Sequence, residues 1–85
     1  MRVSKLYVRN FRYFLNTDKL VELFSNYGIV KDVNIIVGRD FGFVEMSNRE
    51  EAERAKRALN NSYFEGRFLK VDEAWPLKDI RRIDN

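Results

Sequence analysis

The stretch Phe41-Gly42-Phe43-Val44-Glu45-Met46 alternates so regularly that it leaves the chain few ways to fold. Successive side chains of a strand point to opposite faces, so Phe41, Phe43 and Glu45 share one face and Gly42, Val44 and Met46 the other. Lys5-Leu6-Tyr7-Val8-Arg9 has the same character, with Leu6 and Val8 opposed to Tyr7 and Arg9. A register slip of one residue flips every side chain, and it would bury the aromatics only by exposing Leu6, Val8 and Val44. The better register puts the aliphatic residues inward and leaves Tyr7, Phe41 and Phe43 facing out. Three aromatics turned toward water require an explanation.

The rest of the chain supplies the elements around these two strands. Asn16 is placed to cap a helix that opens with Thr17-Asp18, and Leu20, Leu23, Phe24 and Tyr27 follow at helical spacing. Gly28 stands where a helix end favours a left-handed residue. A second strand is expected over 29–37, with Val33 and Ile35 alternating against Asn34 and Ile36, then the short turn Gly38-Arg39-Asp40. Asn48 with Glu51 three residues on marks a second helix start, and Ala52, Ala55 and Leu59 form its narrow apolar stripe. Asn60-Asn61-Ser62 ends it with turn chemistry, Tyr63 and Phe64 are expected to pack the following loop, and Arg67 to Asp72 reads as the last strand with Leu69 and Val71 inward. Phe24, Tyr27 and Leu59 are assigned to the core.

Strand, helix, strand, strand, helix, strand is the order of an α+β, ferredoxin-like split βαβ sandwich (β-α-β-β-α-β). Its four-stranded antiparallel sheet carries both helices on one face and leaves the other bare. Eighty-five residues are enough for one such unit and too few for a second core, so one domain is expected over 1–76 with a tail at 77–85. Leu77, Ile80 and Ile83 recur at about one turn after Pro76, which leaves a short helix or a solvated tail open.

With no Cys and no His, disulfides, structural zinc, thiol nucleophiles and imidazole catalysis are excluded, and neither a metal nor a cofactor is expected. No run of about 18 apolar residues occurs, and the N-terminus lacks a signal-peptide stretch. A soluble intracellular chain with no membrane partner is the expectation, cytoplasmic in a bacterium and nuclear in a eukaryote. A net charge of +3 and a pI near 9.4 suit a polyanionic partner without requiring one.

Two motifs sharpen this reading. Leu6-Tyr7-Val8-Arg9-Asn10-Phe11 resembles the hexapeptide, and Arg39-Asp40-Phe41-Gly42-Phe43-Val44-Glu45-Met46 the octapeptide, of the RNA-recognition motif family. The likeness runs from about residue 4 to residue 76 and is greatest to small single-domain bacterial RNA-binding proteins. It departs at Asp40, where the family has glycine, and at Met46, where it has an aromatic. The link between the second and third strands is also shorter than the basic loop common in the family.

The resemblance implies a non-catalytic protein that binds single-stranded RNA, with single-stranded DNA left open, as a monomer, with a homodimer also open. Tyr7 and Phe43 would each stack on a base, Phe41 would lie against sugars and Arg39 near a phosphate. Arg9, Asn34, Glu45, Lys70 and Asp72 at the rim would read base edges, and Trp75 would stack on a further base or cover the sheet edge.

Two other classes are weaker. A protein-interaction module on the same fold would carry an Arg-X-Phe motif, and here Arg67-Phe68-Leu69 ends in leucine. An acyl-phosphate hydrolase would need a phosphate-cradling loop, and Asn10-Phe11-Arg12-Tyr13 has no glycine to build one.

Overall fold

The computed structural model describes residues 4–11, 16–36 and 40–74. Strand β1 (Lys5–Arg9) leads to helix α1 (Thr17–Phe24), a 3-10 turn (Ser25–Tyr27) and strand β2 (Val30–Ile35). Strand β3 (Phe41–Met46) and helix α2 (Arg49–Leu59) follow, then the short strands β4 (Tyr63–Phe64) and β5 (Arg67–Phe68) and finally β6 (Lys70–Glu73). The main sheet is antiparallel with strand order β2-β3-β1-β6, which places the two motif-bearing strands at its centre. This is the expected split βαβ arrangement.

Alternation decides which side is buried. Leu6, Val8, Val44, Met46 and Val71 all point to the helix side, where they meet Leu20 and Phe24 of α1 and Ala52, Ala55 and Leu59 of α2. The two alanines let α2 approach the sheet closely, and the large residues of α1 and the strands fill the space between. Phe24 and Leu59 are core as expected, while Tyr27 packs against the core half-buried. Met46, at the family's aromatic position, is fully buried and fills that space from the sheet side.

The helices start where their capping residues stand. Asn16 accepts from the Lys19 amide at 3.1 Å, and Asn48 accepts from the Glu51 amide at 2.9 Å. The Glu51 carboxylate turns away from its own helix start to take the Ile29 amide at 2.9 Å and the Ser47 hydroxyl at 2.6 Å. It thereby joins α2 to the beginning of β2. Those two donors, the Ser47 hydroxyl first, hold the Glu51 carboxyl below the usual carboxylate range.

Three expectations need correction. Gly28 does not take the left-handed helix-end conformation; its φ of 156° and ψ of −169° lie in an extended region that only glycine enters readily. A Cβ there would meet the Glu51 side chain at 2.5 Å, so glycine is also required by space. Strand β2 is shorter than 29–37 and carries a bulge, because Val30 pairs with Met46 and Asp32 already with Glu45, leaving Lys31 extra. Finally, the last strand is interrupted at Leu69, and Arg67–Phe68 pairs instead with Tyr63–Phe64. The two-residue turn Glu65-Gly66 has φ of 51° and 89°, as a type I′ hairpin turn demands.

Candidate nucleic-acid interface

The face opposite the helices is built by strand register. One row across the sheet runs Asn34, Phe43, Tyr7 and Asp72. The row on one side of it holds Phe41, Arg9 and Lys70, and the row on the other side Asp32, Glu45 and Lys5. Eight of the expected site residues, Tyr7, Arg9, Asn34, Phe41, Phe43, Glu45, Lys70 and Asp72, therefore share this surface. Arg39, Trp75 and the tail at 77–85 lie outside the described residues.

The three aromatics touch. Tyr7 and Phe43 have ring centroids 5.5 Å apart with planes tilted by 31°, and Tyr7 meets Phe41 edge-on at 5.8 Å and 65°. Each ring leans on its neighbour, and all three are half-buried. Position is enforced from below. Leu6 and Val8 flank Tyr7, Val44 and Gly42 flank Phe43, and all four are buried, so neither strand can rotate without exposing core. Gly42 has a second duty, since a Cβ on it would come within 2.6 Å of the Asn34 carbonyl oxygen of β2.

Charge is graded across the face. Asp32 and Glu45 make one end acidic around Lys5, while Arg9 and Lys70 make the other end basic. Several polar side chains are already oriented. Lys70 donates from Nζ to Asn61 Oδ1 at 2.5 Å, and Asp72 Oδ1 accepts from the Glu73 amide at 2.7 Å. Arg9 and Asn34 are exposed, and Glu45 is half-buried between β1 and β2. Such a surface can stack planar rings and offer donors and acceptors around them. Among the described residues no group of His, Cys, Asp or Glu is arranged to hold a metal ion.

Sequence reasoning missed the β4–β5 hairpin. Tyr63 does not pack the loop; it is 68% exposed and meets Phe68, itself 58% exposed, edge-on at 5.1 Å. Phe64, on the other face of the hairpin, packs against the core as expected. The signal was present, as a Glu-Gly pair flanked by alternating Tyr63-Phe64 and Arg67-Phe68, which is a hairpin pattern. Asn10, which follows the hexapeptide's strand, donates to the Phe68 carbonyl at 2.8 Å and accepts from Arg67 at 3.4 Å, tying the hairpin to the end of β1.

A four-stranded antiparallel sheet backed by two helices, with aromatics of its central strands on the open side, defines a split βαβ domain whose second sheet face is left bare. The chain belongs to the RNA recognition motif family, whose sequence profile matches residues 6–70. It is 39% identical over 80 residues to RbpA of Nostoc sp., named as a candidate RNA-binding protein, with 87% of this chain and 78% of that protein aligned. It is also 39% identical over 79 residues to the 28 kDa chloroplastic ribonucleoprotein of Spinacia oleracea, covering 86% of this chain but only 34% of that longer protein. Among solved structures, RNA-binding protein PG1 superposes with a TM-score of 0.81 at 35% identity, over 86% of this chain and 95% of that one. The first two domains of the yeast poly(U)-binding protein Pub1 give 0.79 at 25% identity, covering 85% of this chain and 46% of theirs.

Proposed function

We propose that this chain binds single-stranded RNA without catalysis, on the open face of its sheet. The observation that carries the reading is the contiguous trio Tyr7, Phe41 and Phe43 on the two central strands, held outward by a buried aliphatic residue on either side of Tyr7. Tyr7 and Phe43 are next to one another but tilted, so each offers a separate surface to one unpaired base. Phe41, beside Arg9, is placed for the sugars between them. Phosphates belong toward the Arg9 and Lys70 end, and Glu45 and Asp32 at the acidic end disfavour them there. Acceptor-only Glu45 and Asp72, donor-only Arg9 and Lys70, and Asn34, which does both, give the rim the means to select among base edges. The names of the relatives, RNA-binding proteins and a ribonucleoprotein, support the same partner.

The test is fluorescence anisotropy with short labelled RNAs, a randomised pool and oligouridine, on wild type, Tyr7→Ala and Phe43→Ala. Loss of one stacking partner is expected to weaken binding about 5- to 150-fold, the equivalent of ~1–3 kcal/mol. Circular dichroism confirms that each variant is folded. Binding unchanged in both folded variants would eliminate the sheet face as the site.

A further inference from the structure

The exposed Tyr63–Phe68 pair lies on the same side of the molecule as the candidate interface, although it belongs to a different sheet. The β4–β5 pairing continues toward β6: Leu69 donates its amide to the Ser62 carbonyl at 2.8 Å, Asn61 donates to the Leu69 carbonyl at 2.7 Å, and Val71 donates to Asn60 Oδ1 at 3.0 Å. Residues 60–64 thus lie along residues 67–71, from β5 across Leu69 to the first residues of β6. Leu69 and Val71 are buried, so Phe68, Lys70 and Asp72 alternate outward. Across the edge, Asn61 meets Lys70 by its side chain and Tyr63 meets Phe68. The row Phe41, Arg9, Lys70 is therefore extended by Asn61 and then, one step further, by the second aromatic pair.

This pair is held in place. Asn10 fixes the backbone of Phe68 to the end of β1, and Lys19 of α1 pairs with Glu65 at 3.5 Å across the hairpin turn. Charge around it is suited to an anion. Arg9 is exposed in the neighbouring row, Lys70 lies between the pair and the central aromatics, and Glu65, the acid of the turn, is engaged by Lys19.

We propose that Tyr63 and Phe68 form a second stacking platform, which receives an additional nucleotide of the same RNA strand after it passes the Arg9–Lys70 row. The proposal rests on RNA binding by the central aromatics and lengthens that site. It predicts that affinity depends on oligonucleotide length through these two side chains alone, because they lie beyond the reach of a strand filling only the central face.

The experiment measures anisotropy with randomised-sequence RNAs of increasing length, from about four to about ten nucleotides, on wild type, the double variant Tyr63→Ser/Phe68→Ser, Tyr63→Phe and Phe43→Ala. Wild type is expected to gain about 5-fold or more on lengthening, the low end for one stacked base. The double variant should match wild type on the shortest RNA and lose the gain, and Tyr63→Phe, which keeps its ring, should retain it. An equal gain in the double variant, or no gain in wild type, overturns the proposal while leaving the central site intact. Absence of binding to the shortest RNA, or its indifference to Phe43→Ala, instead overturns the reading on which this one rests. Sedimentation supplies a further check. If wild type self-associates and the double variant does not, the pair is a contact between copies of the chain and the proposal fails.

Discussion

Replacing Gly28 by alanine tests the account of how the helix layer is joined to the sheet. Gly28 ends the 3-10 turn after α1 with φ of 156° and ψ of −169°, where an L residue is held at a cost of about 1–3 kcal/mol. The added Cβ would also stand 2.5 Å from the Glu51 carboxyl carbon and 2.6 Å from its Cβ. Glu51 can yield only by releasing the Ile29 amide or the Ser47 hydroxyl, so the collision adds to the backbone strain. Taking ~2 kcal/mol for the strain alone, and about 4–8 °C per kcal/mol for a domain of this size, Gly28→Ala should lower the melting temperature by roughly 8–16 °C. Thermal melting by circular dichroism measures this. A double-variant cycle with Glu51→Ala then tests the second cause: alanine keeps the Cβ contact at 2.6 Å but removes the carboxyl group at 2.5 Å and the bonds it would have to release, so part of the collision is relieved and the double variant should melt above the additive expectation. RNA affinity measured well below the melting range should stay within about twofold of wild type, because Gly28 lies on the helix side. A melting point within about 2 °C of wild type would refute the strain reasoning, and strict additivity would refute the role given to Glu51.

Three further outcomes are expected. Folding lowers the Glu51 pKa, so the native chain holds that proton less tightly than the unfolded one; the resulting stability is present above the unfolded-state value and is lost as pH falls through the lower native one. Urea midpoints should therefore fall on acidification below about pH 5, less steeply in Glu51→Gln than in wild type, and equal slopes would contradict the assignment. Glu65 occupies the first central position of the type I′ turn at φ 51°, where asparagine is preferred, so Glu65→Asn should raise stability by about 0.5–1 kcal/mol less any small loss of the exposed Lys19 pair; denaturant titration showing a clear decrease would refute this. Arg9 stands in the basic row, and if it neutralises one phosphate, Arg9→Ala should reduce the slope of log K against log salt by about 0.7; an unchanged slope would remove Arg9 from the phosphate path.

The order of elements and the facing of the central strands could be read from sequence because both depend on local alternation. Leu6 and Val8 against Tyr7, and Val44 and Met46 against Phe41 and Phe43, specify a buried side and an aromatic side without reference to anything distant. The caps Asn16 and Asn48 are equally local, since each bonds an amide three residues on. What depended on long-range pairing was not legible in this way. Val30 and Val33 are out of step for a regular strand, and only the bulge at Lys31, made against β3, lets both pack against the core. The carboxylate of Glu51 looked like part of a helix start, yet the amide it accepts belongs to Ile29, 22 residues away. Tyr63 and Phe68 became a solvent-facing pair because the Leu69 side chain is claimed by the core and the Ser62 and Asn61 backbones by that of Leu69. The sequence by itself determined which side of each strand is buried, since alternation is a property of neighbouring residues; only the tertiary structure decided which surfaces meet at the edges, since those contacts exist only once β6 has paired with β1 at the far end of the chain.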